Sequence, residues 1–174
     1  MTAYIALLRG INVGGRTIKM ADLRSALEEL NVSDVRTVLA SGNVVFSATG
    51  SKTAVRGRVE NRLSEAFGYD AHIVLLTATE LKSIVADCPF TSSADEHAYV
   101  VVSSDPAALR ELAKSDLDDT REVLERGKKA LYWRVRRGST LATPFAKESA
   151  KSKYAAAAVT TRNRNTLEKV LAAV

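Results

Sequence analysis

The sequence predicts an α+β protein whose chain of 174 residues forms two related halves, 1–78 and 79–174. Two observations carry this prediction. Short apolar runs typical of strands alternate with segments in which apolar residues recur at helical spacing. The order of these elements in the first half then recurs, in part, in the second. No linker rich in Pro, Gly or Ser separates the halves, so we expect them to pack as one body.

The first half has the element order β-α-β-β-α-β. Strands are predicted over 4–9, 35–40, 44–48 and 71–76, and helices over 23–30 and 55–67. Ser41, Gly42 and Asn43 join the second and third strands as a hairpin, because Gly and Asn tolerate positive φ. This is the order of the ferredoxin-like arrangement.

The second half repeats β-α-β-β-α, and a last strand is not clearly indicated. Strands are predicted over 97–103, 121–125 and 129–135. Helices are predicted to begin near Thr77 with a capping box to Glu80, at Asp105-Pro106, near Thr143-Pro144 and near Arg162.

The apolar pattern of the strands predicts a sheet that is buried on both faces. In the first strand Tyr4, Ala6 and Leu8 lie on one face, and Ile5 and Leu7 on the other are equally apolar. A sheet with one face in water would alternate apolar and polar residues. The second half most simply supplies the missing cover.

Composition excludes several classes of protein. With 46% hydrophobic and 26% charged residues the chain is of ordinary globular type. One cysteine, Cys88, and two histidines argue against a disulfide framework and against a metal site. The phosphate-loop, nucleophile-elbow and zinc-protease motifs are absent. The first residues do not resemble a signal peptide and no apolar run approaches about 18 residues, so we expect a cytoplasmic protein.

The charge of +5 is unevenly distributed. Residues 79–125 hold four Lys/Arg and eleven Asp/Glu, whereas residues 126–164 hold eleven Lys/Arg and one acid, Glu148. This basic segment is typical of a surface for phosphates or nucleic acid, and Tyr132 and Trp133 within it could stack on bases. The alternative is that the acidic stretch of the same chain neutralises it.

Two polar segments are predicted to meet at one end of the first sheet. The first and second strands of a ferredoxin-like unit run parallel, so the segments that follow them, 9–16 and 41–43, emerge together about 10 Å apart. Glycine there permits close backbone approach, and successive N–H groups bind anions. The edge collects Arg9, Gly10, Asn12, Gly14, Gly15, Arg16, Lys19, Ser41, Gly42 and Asn43.

A third segment before the last helix is chemically similar. It contains Ser152, Lys153, Thr160, Thr161, Arg162, Asn163 and Arg164. A helix N-terminus beside two arginines is a plausible anion site. The structural alternative is that Thr160 or Thr161 simply caps that helix.

These segments resemble a widespread bacterial family, the domain of unknown function 1697. The likeness lies in LLRGINVGG, in the K-M-x-x-L-R run at 19–24, in VRTVLASGNVVFSA and in SK…TTRNRNT near the end. It covers nearly the whole chain and implies paired ferredoxin-like subdomains, but no reaction, substrate or cofactor. The family's last motif usually reads T-T-R-N-W, and here Arg164 stands where that Trp is expected.

The best-supported hypothesis is a protein that binds a phosphate-bearing or nucleotide-like anion at residues 9–19 and 41–43. Arg9 or Arg16 would hold the anion through its guanidinium fork, and Asn12 and Asn43 would orient the ligand. Whether the protein is an enzyme stays open, because these motifs contain no general base. The alternatives are a nucleic-acid contact through residues 126–164 and a protein-interaction or homodimer module built on edge strands.

Overall fold

A computed structural model describes residues 1–12 and 15–174 of the chain. It divides into two compact units. Unit 1 is Met1–Leu81 with Lys169–Val174, and unit 2 is Lys82–Glu168. Each unit holds one four-stranded antiparallel sheet, so the predicted α+β class is confirmed.

Unit 1 confirms the element order predicted for the first half. Its elements are β1 (Thr2–Leu8), α1 (Met20–Glu28), β2 (Val32–Val38), β3 (Asn43–Ala48), α2 (Lys52–Phe67) and β4 (Ile73–Thr77). The strands lie in the order β2-β3-β1-β4. β1 is central: Leu7 is opposite Asn43 of β3, and Leu8 is opposite Ile73 of β4.

The sheet of unit 1 is buried on both faces, as the strand pattern predicted. Tyr4, Ala6 and Leu8 of β1 pack in one cluster with apolar residues of α1 and α2. Ile5 and Leu7, which point to the opposite face, are also fully buried. The apolar character of both strand faces therefore reflects burial on both sides.

The turn between β2 and β3, residues 39–42, fits tightly against the chain that follows β1. Gly42 has a φ of +76°, and a Cβ placed on it would lie 2.5 Å from Cδ1 of Ile11 and 3.1 Å from Cβ of Leu8. Ile11 is itself buried. Glycine is needed here for both its backbone conformation and its lack of a side chain.

Unit 2 contains β5 (Glu96–Val102), α4 (Pro106–Leu112), β6 (Glu122–Arg126), β7 (Leu131–Arg136), α5 (Pro144–Ser149) and β8 (Thr160–Asn163). The strands lie in the order β6-β7-β5-β8. Two further helices join or follow these elements, α3 (Ala78–Ala86) after β4 and α6 (Arg164–Ala172) after β8. The order in unit 2 is the one found in unit 1, with β8 in the place of β4.

β8 is the strand that the sequence did not clearly indicate. Thr160 and Thr161 are opposite Val102 and Val101 of β5, so neither caps the last helix as suggested. Instead the side chain of Asn163 accepts a hydrogen bond of 2.9 Å from the N–H of Asn165, at the start of α6. A polar strand of four residues is too short to show the alternation of apolar and polar residues that predicts a strand. Its two threonines favour a strand, but they form one only because β5 is there to pair with.

Three predicted helix starts are confirmed by their hydrogen bonds. Thr77 and Glu80 form a reciprocal capping box, in which each side chain accepts from the other residue's N–H at 3.2 and 2.9 Å. Asp105 caps α4 through Ala107 N–H, and Thr143 caps α5. Such contacts span at most three residues, which is why the sequence predicts them.

The core of unit 2 is built around Trp133 and a buried carboxylate. The ring of Trp133 lies 5.2 Å from that of Phe145, and its Nε1–H donates to Glu122 at 2.9 Å. Glu122 also accepts from the N–H groups of Asp118 at 3.1 Å and Phe145 at 3.4 Å. The Glu122 carboxylate therefore connects β6 by hydrogen bonds to β7 and to the first turn of α5.

Glu122→Gln is expected to destabilise the protein by about 1–3 kcal/mol. The variant replaces one acceptor oxygen by an NH₂ group, which then faces an N–H donor and leaves that buried donor without an acceptor. Urea unfolding of the full chain measures this. Glu125→Gln, at an exposed position of the same strand, is the control and should change stability by less than about 0.5 kcal/mol. Equal stability of the two variants would contradict the role given to Glu122.

Gly42→Ala is expected to cost about 1–2 kcal/mol for the left-handed backbone and about 1–3 kcal/mol more for the overlap with Ile11 and Leu8. Gly68→Ala is a matched control, because Gly68 has a φ of +65° and nothing lies within 4 Å of a Cβ placed on it. Unfolding curves should show the control losing only the first amount. If both variants lose the same stability, the close approach at Gly42 is not a packing constraint.

Candidate functional site

The segment after β1 and the turn between β2 and β3 meet, as the strand topology predicted. The N–H of Leu8 donates to the carbonyl of Gly42 at 2.9 Å. Farther along, the side-chain amide of Asn12 donates to the carbonyl of Ala40 at 2.7 Å. The segments are thus in direct contact. We call this surface of unit 1 the loop end; its described residues are 9–12, 15–19, 39–43 and 69–72.

The two asparagines of the loop end are bonded to the protein itself. Asn12 Oδ1 accepts from the N–H of Ile18 at 2.9 Å, so its amide bridges the loop and the turn. Asn43 is fully buried, and its Nδ2 donates to the carbonyl of Val38 at 2.8 Å and to Ser41 Oγ at 2.9 Å. Both amides therefore hold the shape of the loop end.

Three cationic side chains come from the loop after β1. Arg9 is partly buried, and this burial lowers the pKa of its guanidinium. Arg16 is exposed, and its guanidinium carbon lies 4.5 Å from the ring centre of Tyr69. Lys19 is exposed and occupies the N-cap position of α1. Residues 9–19 and 39–43 contain no Asp or Glu.

Sequence reasoning missed a third segment of the loop end, just before β4. The N–H of Arg9 faces the carbonyl of His72 at 3.5 Å. His72 Nε2 lies 3.0 Å from a carboxylate oxygen of Asp70. Because β4 runs antiparallel to β1, the residues before β4 must lie beside the end of β1. That topological rule could have identified Asp70 and His72 in advance.

Tyr69 brings a buried polar atom to the loop end. Its hydroxyl is shielded from solvent and has no hydrogen-bond partner among the residues that the structure describes. Burial raises the pKa of this phenol, and the nearby Arg16 opposes that change. The Tyr69 hydroxyl, next to the guanidinium of Arg16, can therefore still donate a hydrogen bond to a ligand.

The predicted glycines and Ser41 lie as follows. Gly10 and Gly15 are exposed, with φ of +72° and +88°, and nothing lies within 4 Å of an added Cβ. Ser41 is exposed, and its hydroxyl accepts from Asn43. Gly14 lies outside the described residues.

Thr161, Arg162 and Asn163 belong to β8 of unit 2, not to unit 1. Burial lowers the pKa of Arg162 to about 10, and its Nη1 donates to the carbonyl of Thr161 at 3.0 Å. Arg164 donates to the carbonyl of Phe90 at 2.7 Å and forms an ion pair of 3.2 Å with Glu168. These residues are therefore part of unit 2 and not of the loop end.

The interpretation of Tyr132 and Trp133 as base-stacking groups is wrong. Each side chain is only 2% exposed. The hydroxyl of Tyr132 donates to the carbonyl of Ile84 at 2.8 Å, and burial raises its pKa to about 12. β7 lies between β6 and β5, and the adjacent residues Tyr132 and Trp133 point to opposite faces of the sheet, so both faces are buried at this place.

Acids of the same unit neutralise part of the basic segment. Lys153 contacts Glu111 at 2.7 Å and Glu148 at 2.8 Å, and Arg134 lies 3.4 Å from Glu96. Lys151 and Lys153 lower the pKa of Glu148 to about 2. For these groups the alternative that acids of the same chain neutralise the basic segment is confirmed. The homodimer built on an edge strand stays a prediction.

Unit 2 also has an open cavity of about 540 Å³. Its lining carries charges of both signs, since Asp87 and Glu125 lie beside Arg126 and Lys128. The two acids of this lining balance its two bases, whereas the loop end has three cationic side chains and one carboxylate, so the loop end is the better candidate for an anion. In the described part of the chain, no three His, Cys, Asp or Glu side chains come together as metal ligands, and no helix is long and apolar enough to cross a bilayer.

Comparison with solved structures supports the fold over the full length. The conserved bacterial protein SP0830 from Streptococcus pneumoniae is 25% identical, with a TM-score of 0.78 over 99% of this chain and 98% of that one. An unknown protein from Galdieria sulphuraria is 13% identical over 99% and 88% of the two chains, and its TM-score of 0.27 is too low to inform the fold. No curated protein matches.

The family model of the "Protein of unknown function (DUF1697)" matches residues 1–132. This range includes every segment of the loop end and about three quarters of the chain. The protein therefore belongs to the DUF1697 family, as its motifs indicated.

Proposed function

We propose that the protein binds a small phosphate-bearing anion at the loop end of unit 1. One observation carries this proposal. The loop end contributes three cationic side chains, Arg9, Arg16 and Lys19, against one carboxylate, that of Asp70. Excess positive charge on a surface with exposed backbone favours an anionic ligand over a cationic or neutral one.

The groups of the loop end suit a phosphate in charge and in geometry. Arginine presents paired N–H donors that match two phosphate oxygens, and Arg9 and Arg16 are the candidates. The stacking of Arg16 on Tyr69 limits the motion of its guanidinium. The exposed left-handed backbone at Gly10 and Gly15 lets N–H groups approach the same anion.

The proposal is limited to binding. His72 with its partner Asp70 supplies, at the loop end, a base that the sequence motifs lacked. A catalytic role also requires a substrate within hydrogen-bond reach of that base. We assign neither a reaction nor a cofactor.

The proposal for the fold is that both units are ferredoxin-like. The shared strand order, β2-β3-β1-β4 in unit 1 and β6-β7-β5-β8 in unit 2, supports it. In each unit two β-α-β crossovers place a strand between two parallel neighbours, which is the defining feature of that arrangement.

The double variant Arg9→Gln/Arg16→Gln is expected to bind inorganic phosphate at least tenfold more weakly than the wild type, because each charge-assisted bond contributes about 1.5–3 kcal/mol. Isothermal titration at low ionic strength measures the affinity, with sulfate and mononucleotides as further ligands. Arg110→Gln, an exposed arginine of α4 in unit 2, controls for the lost charge. Unchanged affinity in the double variant would show that phosphate, if bound, is bound elsewhere.

Asn12→Gly is expected to weaken phosphate binding several-fold and to lower stability by about 1 kcal/mol, since it removes two hydrogen bonds that join the loop to the turn. Glycine accepts the φ of +55° at this position, so the loss reports the amide and not backbone strain. Titration and urea unfolding measure the two effects.

Asp34→Gly is the matched control for Asn12→Gly. Asp34 is exposed, has a φ of +56° and lies at the irregularity of β2 between Ser33 and Arg36. It should leave the phosphate affinity unchanged. If Asn12→Gly binds phosphate as tightly as this control, the amide bridge does not organise the site.

A further inference from the structure

Leu39 has a backbone conformation that leucine rarely adopts. Among the described residues, four besides glycine have positive φ: Asn12, Asp34, Leu39 and Ala158. Asn and Asp tolerate the left-handed region because their short polar side chains bond locally. Ala158 is small and fully buried. Leu39, with a φ of 58°, is the large apolar residue of this set, and it is 48% exposed.

Side-chain amides hold the backbone on both sides of Leu39. The carbonyl of Val38, before it, accepts from Asn43 at 2.8 Å, and the carbonyl of Ala40, after it, accepts from Asn12 at 2.7 Å. Asn43 is fully buried, so this hold is firm. Strained conformations persist where the surroundings determine them from several directions, and such positions concentrate at ligand sites.

Stability does not account for leucine at this position. Glycine or asparagine would adopt the same turn with less strain. About half of this leucine, 48%, is exposed and gains nothing from burial within the protein. This apolar surface is available to a ligand from solution.

Leu39 lies next to the cationic loop in the turn between β2 and β3. It is one residue from Ala40, whose carbonyl touches Asn12 of the cationic loop. We propose that Leu39 forms an apolar wall of the loop end, against which the base of a nucleotide packs while its phosphate meets the arginines. The preferred ligands are therefore phosphate esters with a flat apolar group, rather than inorganic phosphate. This inference rests on the proposed function and names its ligand class.

Leu39→Asn separates this role from the phosphate site. Asparagine favours the left-handed region, so the variant should fold and gain about 2–4 °C in Tm. Its affinity for adenosine 5′-monophosphate should fall roughly tenfold through the lost apolar contact, while its affinity for ribose 5-phosphate, which lacks the base, should not change. Leu141→Asn, at a leucine 90% exposed in unit 2, is the matched control and should alter neither affinity.

Each outcome of the titration decides a different claim. A selective loss for the monophosphate carrying the base supports the inference. Equal affinities of wild type and Leu39→Asn for both probes overturn it and leave the phosphate site intact. An equal loss for both probes also overturns it, since Leu39 would then support the loop and not the base. A wild type that binds neither probe overturns the proposed function together with the inference.

Discussion

The central position of β1 is the constraint on which the rest of unit 1 depends. β1 lies between β3 and β4 and is antiparallel to both. Its last residue, Leu8, therefore lies beside the start of β4 and beside the turn that precedes β3. Three segments far apart in sequence are brought to one end of the sheet, and no contact between the segments themselves is needed to bring them there.

The same framework occurs in unit 2 without such a loop. After β1, eleven residues, 9–19, precede α1, whereas after β5 only three residues, 103–105, precede α4. The hydroxyls of Ser103 and Ser104 both donate to the carbonyl of Ala157, which closes that connection locally. A connection of this length needs hydrogen bonds outside the sheet, because its backbone polar groups still have to be paired. In unit 1 the side chain of Asn12 makes two of them, with the N–H of Ile18 and the carbonyl of Ala40.

The candidate site was predictable as a set of segments and not as a set of contacts. Apolar periodicity and turn residues indicated the element order, and the ferredoxin-like arrangement with that order predicts that the segments of Arg9 and Gly42 meet. The roles of Asn12 and Asn43 could not be predicted from the sequence. An asparagine that bonds to the protein and one that binds a ligand look the same in a sequence. The backbone conformation of Leu39 could not be predicted either, because it depends on hydrogen bonds from two other side chains, those of Asn12 and Asn43.

Local sequence patterns were enough to predict the fold class, the boundaries of most elements to within a few residues, and helix starts such as Thr143. Those features depend on periodicity and on contacts within one helical turn. Two features became visible only in the folded chain: Thr160 begins a strand, and Trp133 is a core residue bonded to Glu122. Both outcomes depend on partners from other elements, namely a neighbouring strand and a buried carboxylate. A sequence pattern indicates which secondary structures a segment can form. Contacts with other segments then decide which of these structures it does form.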